Sequence, residues 1–257
     1  MIKGLLNHNT NGSTYEYLEL MSYARKYNID LIDAWKADES EDYAFTLNRS
    51  FFPKDLALQQ GIQINRLIDD FFWRNKSNQL KYLDTSVKMP KSLFGAQTFA
   101  ACSEYLGLPF VAKQSVSSRG LGVFLIKSPK DFENAVGCDI FQEVIWDSFG
   151  KDLRVIALGG KIYGVMNRVN EGKFKANIHQ GGIGIPYKCD SDIEKCISSI
   201  YKQTGLDYIG VDLLLGSDGY YFCELNTSAG FRGYDECYNT HLAEDIIKYI
   251  RVEKLKL

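Results

Sequence analysis

The chain has 257 residues, 45% apolar and 24% charged, with 30 Lys plus Arg against 32 Asp plus Glu for a net charge of −2. These are globular values that exclude a disordered or collagen-like chain. The near-neutral balance argues against a basic nucleic-acid footprint, so no nucleic-acid partner is expected. The length suits one large domain or two to three small lobes sharing a core.

The opening MIKGLLNHNTNG lacks the apolar run of a signal peptide. No stretch offers the roughly 18 apolar residues of a membrane span, so no membrane partner is expected. Residues 2–6 read as a short buried strand. Ser13-Thr14-Tyr15-Glu16 reads as a capping box. It opens a helix whose apolar stripe is Tyr17, Leu20, Met21, Ala24 and Tyr27. A strand over 29–32 follows, which suggests a small α/β lobe. Helical patterns run through 68–72 and 76–83 and stop at Met89-Pro90. Strands are expected over 110–114 and 121–127, on either side of a loop over 115–120. Ser128-Pro129 starts a short helix over 132–136. Strands over 140–145, 153–158 and 161–168 come next, with Gly159-Gly160 as a hairpin turn. A helix over 191–204, strands over 208–215 and 220–226, and a helix over 242–252 complete the chain. The pattern is α+β with antiparallel hairpins in the second half, not a doubly wound sheet.

The six cysteines, Cys102, Cys138, Cys189, Cys196, Cys223 and Cys237, form no C-x-x-C, and His8, His179 and His241 lie far apart. This spacing argues against zinc. It fits reduced thiols in a cytoplasmic protein.

Two stretches carry chemistry. In the first, Ser217-Asp218-Gly219 suits a three-residue hairpin turn, under which Gly216 faces Tyr220 and Asp212 faces Glu224. Glu224 and Asn226 share a face by alternation, and Asp212 joins them; Cys223 should point the other way. Facing carboxylates in strands rich in Val, Leu, Tyr and Phe repel unless a cation neutralises them. Two carboxylates and an amide oxygen are hard ligands suited to Mg²⁺ or Mn²⁺; the bland alternative is a hydrated surface acid. In the second stretch, Lys113 ends an apolar strand and is followed by Ser115-Val116-Ser117-Ser118-Arg119-Gly120-Leu121-Gly122. Small residues let backbone N–H groups approach an anion, although a mobile hairpin loop with a surface lysine has the same composition. Neither G-K-[ST] nor G-x-G-x-x-G is present.

Taken in order, Asn75-Lys76, Val111-Ala112-Lys113, Ser117-Ser118-Arg119-Gly120-Leu121-Gly122, Gln142-Glu143-Val144-Ile145, Gly150-Lys151-Asp152-Leu153-Arg154, Phe174-Lys175-Ala176-Asn177-Ile178-His179, Gly210-Val211-Asp212 and Cys223-Glu224-Leu225-Asn226 resemble the ATP-grasp superfamily, and within it the RimK-like carboxylate–amine ligases. The resemblance covers about 61–250. It implies an ATP-grasp fold of two α+β lobes clasping a nucleotide, with a short N-terminal α/β lobe. The expected divisions are 1–75 for that lobe, 76–145 for the subdomain with the phosphate loop, and 146–257 for the C-terminal subdomain with the metal site.

The resemblance also implies roles. Lys76 and Lys113 are the nucleotide lysines, and 115–122, with Ser117, Ser118 and Gly120, is the phosphate loop. Gln142, Glu143, Val144 and Ile145 form the adenine hinge, and Asp152 takes the ribose. Asp212, Glu224 and Asn226 hold Mg²⁺ or Mn²⁺. Of the catalytic candidates, Arg168 faces the transferred phosphoryl group, Asn177 lies beside the phosphates, and Lys175 takes the place of the family's arginine in F-R-x-N. Arg154, His179 and Arg232 are candidates for substrate contact. The implied activity is ATP-dependent amide formation through an acylphosphate, joining a carboxylate to an amine such as an amino acid.

An inactive ATP-binding regulatory module and an ATP-grasp kinase are the alternatives. The intact metal triad argues against the first, and the N-I-H-x-G-G stretch from Asn177 favours a ligase over the second. Departures from the family pattern are Asn75 for Asp, Lys175 for Arg, Gln180 for a basic residue, and Ser117-Ser118 in the loop.

Overall fold

The computed structural model describes residues 1–8, 14–50, 55–65, 72–117, 120–170, 172, 174, 176 and 182–257. Three sheets organise them. The first is parallel, ordered β2-β1-β3-β4, from β1 (Ile2–His8), β2 (Ile29–Asp33), β3 (Phe45–Arg49) and β4 (Ile62–Ile64). Helix α1 (Tyr15–Lys26) buries Tyr17, Leu20 and Ala24 against it, and α2 (Asp55–Gln59) follows β3. Thr14 caps α1, its hydroxyl accepting from the Tyr17 N–H at 3.4 Å, and Ser13 lies outside the described residues. Glu16 does not close a capping box. Its Oε1 accepts instead from the backbone N–H groups of Phe231 at 3.1 Å and Arg232 at 3.3 Å.

The second sheet, antiparallel and ordered β5-β8-β6-β7, comprises β5 (Ser92–Phe94), β6 (Phe110–Lys113), β7 (Val123–Ile126) and β8 (Ile140–Glu143). Helices α4 (Phe99–Leu106) and α5 (Pro129–Asn134) belong to it, and a core of Cys102, Phe110, Ala112, Ile126 and Phe141 closes one face. Alternation along β6 then turns Val111 and Lys113 to the other face.

The third sheet is antiparallel in the order β11-β10-β9-β12-β13, from β9 (Lys151–Leu158), β10 (Lys161–Val169), β11 (Ile183–Tyr187), β12 (Tyr208–Gly216) and β13 (Gly219–Asn226). Leu153, Val155, Ala157, Val165, Ile209, Val211, Leu213 and Phe222 turn to α6 (Ser191–Thr204) and its Ile193, Ile197 and Ile200. On the opposite face, Ile156, Leu158, Met166 and Tyr208 pack on α1 and α8 (Leu242–Tyr249). The rest of that face carries the charged residues. Helix α3 (Lys76–Tyr82), capped by the Asn75 side chain, is pinned to β13 by Gln79, whose amide exchanges two 2.8 Å hydrogen bonds with the backbone of Leu225. That contact brings Lys76 beside Glu224.

The β12–β13 turn differs from the expectation. Gly216 pairs with Gly219, leaving a two-residue turn, yet Asp212 still faces Glu224. A bulge between Asp212 and Leu213 leaves Cys223 as the extra residue and restores the register. Elements β3, β4, β5, α4, β11 and α7 (Arg232–Tyr238) carry no signal that the sequence reading used.

Candidate active site

A cleft runs between the second and third sheets. Its walls include Val111, Lys113 and Val123 from β6 and β7, Gln142, Glu143 and Ile145 at the hinge, and Asp212, Leu214, Cys223 and Glu224 from β12 and β13. Lys76, Ser117, Gly120 and Phe174 complete it. Val111, Val123, Ile145, Phe174 and Leu214 give it apolar walls, and Lys76 and Lys113 bring cations to it. Gly122 is required here, because a Cβ on it would lie 2.7 Å from that of Ser117.

Two cations approach the loop and the acids together. Lys76 Nζ donates to the Ser117 carbonyl at 2.6 Å and to its hydroxyl at 3.2 Å, and lies 3.6 Å from Glu224 Oε2. Lys113 Nζ lies 3.7 Å from Cys223 Sγ. The bulge therefore turns Cys223 into the cleft, against the expectation that it points away. Burial pushes its thiol up to about 11, despite Lys113.

The floor holds a buried quartet. Arg154 makes a two-pronged contact with Asp212, through Nε to Oδ1 and through Nη2 to Oδ2 at 2.9 Å. Arg168 reaches Asp212 Oδ2 at 2.8 Å and grips Asp152 through 2.6 and 2.7 Å bonds. Strand register produces this: Asp152 pairs with Arg168, and Arg154 with Asp212. Burial works against the Asp212 anion, but Arg154 and Arg168 outweigh it and hold the carboxyl down at about 2. Burial pushes Asp152 up against the pull of Arg168, and the neighbouring Asp212 charge adds to it.

The resemblance puts Asp152 on a ribose. Here both its oxygens are held by Arg168, and it does not line the cleft; the β9–β10 register makes it the partner of that arginine. Arg232 also stands apart, exposed and paired at 2.8 Å with Glu236 one helical turn away. Val144 is half-buried between two lining residues. Ser118, Lys175, Asn177 and His179 lie outside the described residues. Alternation from Lys113 and Asp212 could have found Val111 and Leu214, which the sequence reading left out; no signal pointed to Val123, Phe174 or Cys223.

The donor set fits a divalent cation. Asp212 and Glu224 face each other, and Asn226 Nδ2 is 3.2 Å from Glu224 Oε1. An ionised carboxylate offers about four lone-pair sites; the arginines take three of those on Asp212. The cleft also fits a nucleobase. Gln142 Oε1 is buried without a donor while its Nε2 bonds Ser92, so a free acceptor for an exocyclic amine stands in the hinge wall.

The model of the RimK-like ATP-grasp domain matches residues 75–250. The chain belongs to this family. Among curated relatives of this RimK-like chain, a probable alpha-L-glutamate ligase of Legionella pneumophila is 33% identical over 152 residues, 56% of the chain and 50% of the relative. N-acetylaspartylglutamate synthase A of Mus musculus is 32% identical over 155 residues, 57% of the chain and 41% of the relative. The chain thus spans about half the length of the curated relatives it matches. Among solved structures, ATP-grasp ligase PsnB complexed with minimal precursor, Mg and ADP superposes with a TM-score of 0.75 at 16% identity, covering 98% of this chain and 96% of that one. It shares the ATP-grasp fold. No helix among the described residues is long and apolar enough to cross a membrane.

Proposed function

We propose that this protein is an ATP-dependent carboxylate–amine ligase that forms an amide bond through an acylphosphate. The reading rests on one observation above the others: Lys76 bridges the phosphate loop and Glu224, so the cation wall and the acid wall meet at one point of an apolar cleft. The apolar walls and the free Gln142 acceptor suit adenine, and Lys76, Lys113 and the loop N–H groups suit the phosphates.

Asp212, Glu224 and Asn226 would hold a divalent cation, which would supply electrostatic stabilisation of phosphate charge. Arg168 and Arg154 keep Asp212 ionised for that task. A carboxylate oxygen of the acid attacks the γ-phosphorus of ATP, the bond to ADP breaks, and Lys76 and Lys113 bear the charge that shifts to the phosphate oxygens. The amine then attacks the acyl carbon, and the acyl C–O bond breaks to release phosphate. No protein nucleophile takes part. Closure of the loop over 115–122 excludes water from the acylphosphate. The named relatives support an amino acid, glutamate foremost, as the amine, and the precursor-bound neighbour supports a peptide as one class of acceptor.

Hydroxylamine tests the reading, since it intercepts an acylphosphate without an amine site. With ATP, Mg²⁺ and a panel of amino acids, short peptides and dicarboxylates, a hydroxamate should form in step with ADP. ADP with a stable phosphorylated product, and no hydroxamate, would mark a kinase.

A further inference from the structure

Arg49 ends β3 in the N-terminal sheet and is only 4% exposed. Its guanidinium carbon stacks 4.9 Å from the centre of the Tyr208 ring and 5.2 Å from that of Phe231. Nη2 donates to the Ala229 carbonyl at 2.8 Å. Nε and Nη1 are buried and have no acceptor. Among the described residues no carboxylate pairs with this cation; Glu16, whose Oε1 reaches the backbone N–H groups of Phe231 and Arg232, does not. Arginine cannot shed its proton to escape burial, and an unpaired buried charge is costly. The arrangement lacks an anion.

Its place in the fold points the same way. The sheet order β2-β1-β3-β4 reverses direction between β1 and β3. His8 and Arg49, the last residues of those two strands, are register partners there. Ligands of open parallel sheets bind outside the carboxyl ends of the strands at such a reversal. The site also adjoins the acid floor. Ala229, which Arg49 holds, lies three residues past Asn226, at most about 10 Å of chain. It packs so closely over Gly210 that a Cβ there would lie 2.5 Å from Ala229 Cβ, with Arg154 Cδ at 3.3 Å. Arg154 in turn grips Asp212.

We propose that Arg49 anchors a substrate carboxylate, one that is not converted to the acylphosphate. It rests on the ligase reading for the chemistry at the far end of the molecule. The carboxylate belongs either to a dicarboxylic acid substrate or to the amino acid that supplies the amine. Its anchoring fixes the reach of the substrate and selects acidic molecules over neutral ones.

The test is calorimetry on the full chain with Mg²⁺ and a non-hydrolysable ATP analogue. The probes are succinate, glutarate, L-aspartate and L-glutamate, each beside versions with one carboxylate replaced by a carboxamide. The expected result is that at least one acid binds the wild type and that amidating one carboxylate weakens it at least tenfold. In Arg49→Met the same amidation should change affinity less than twofold, with binding of the ATP analogue unaltered. Coupling seen with the amine-free diacids assigns the anchor to the acid substrate; coupling seen with the amino acids alone assigns it to the amine. A buried arginine with only a packing role would not distinguish carboxylate from carboxamide. Equal amidation penalties in wild type and variant overturn the proposal, as does a wild type that binds none of the four acids. In both cases intact ATP-analogue binding leaves the ligase reading standing, and its absence in the wild type counts against that reading instead. Should Arg49→Met lose its cooperative melt, Arg49→Lys carries the comparison: a smaller amidation penalty than the wild type is expected, and an unchanged one overturns the proposal.

Discussion

In the sheet that forms the floor, Asp152, Arg154, Arg168 and Asp212 neutralise one another beneath the cleft, and of these four Asp212 lines it. On the roof, Lys113 meets no carboxylate among the described residues, only the Cys223 sulfur at 3.7 Å. The backbones differ in parallel. The roof strands β6 and β7 pair without interruption from Phe110↔Ile126 to Lys113↔Val123. The floor has a register shift in each of its hairpins, between Ile162 and Gly164 and between Asp212 and Leu213. The floor pairs its buried acids with its own arginines, which hold Asp212 ionised and fix both carboxylates in place. Among the described lining residues the roof carries one cation, Lys113, and one acid, Glu143, which accepts from the Lys91 backbone N–H. The floor is preset by its own ion pairs, and Lys113, without a carboxylate partner among the described residues, is the roof group that a bound anion would engage.

The largest effect should come from breaking the floor at its metal-facing acid. Glu224→Gln should lower kcat by about 10² to 10³, the scale of removing a group that stabilises developing charge, and leave the thermal melt close to wild type. Activity near the wild-type level would remove Glu224 from the chemistry.

On the roof, Lys113→Ala should weaken ATP binding by about 1.5–3 kcal/mol, the scale of a charged hydrogen bond, as read by calorimetry. An unchanged affinity would make Lys113 a packing residue.

The floor's self-neutralisation predicts an acid limb. The Asp212 carboxyl sits at about 2, below its ordinary value of 3.8. Its contribution to stability is therefore complete above about pH 4 and lost as the pH falls toward 2. Arg154→Met removes one of the two guanidinium partners and raises that carboxyl. Acid unfolding, followed by circular dichroism, should then begin at a higher pH than in the wild type. A coincident transition would mean that Arg168 alone holds Asp212 down.

The smallest effect concerns the thiol between the two walls. With its pKa at about 11, Cys223 is almost wholly protonated at pH 8. Alkylation should be slow beside that of an exposed thiol, slower again with ATP bound, and Cys223→Ser should change ATP affinity by less than about 1 kcal/mol. Rapid labelling indifferent to ATP would put the sulfur outside the cleft.

The two register shifts also mark where the sequence could be read and where it could not. Asp212 and Glu224 were expected to face each other, and they do, but through two compensating differences: a turn one residue shorter and a bulge at Cys223. A two-residue turn without that bulge would have set Asp212 opposite Cys223. On β9–β10 a regular hairpin closed at Gly159-Gly160 would have put Arg168 opposite Lys151; the irregularity at Tyr163 brings it to Asp152 instead. A one-residue slip moves every side chain to the other face, so the quartet was invisible without the register. Alternation and turn signals did locate β9, β10, β12, β13 and α6. They gave no sign of β3, whose five residues are all buried yet include Thr46, Asn48 and Arg49. Polar residues in a doubly covered strand read as a loop, and the candidate anchor was lost with it. Lys113 was legible because it stands alone in an apolar strand before a serine- and glycine-rich loop, whereas Lys76, in the polar run from Arg74 to Gln79, was singled out only through the family resemblance.

The central claim is that the carboxylate oxygen attacks phosphorus and later leaves with it, and isotope transfer addresses this directly. An acid substrate carrying ¹⁸O in its carboxyl group is turned over with ATP, Mg²⁺ and amine, and the released phosphate is analysed by mass spectrometry. The account predicts one ¹⁸O in each phosphate formed with amide. Amide accompanied by unlabelled phosphate would mean that no acylphosphate lies on the path, and would contradict it.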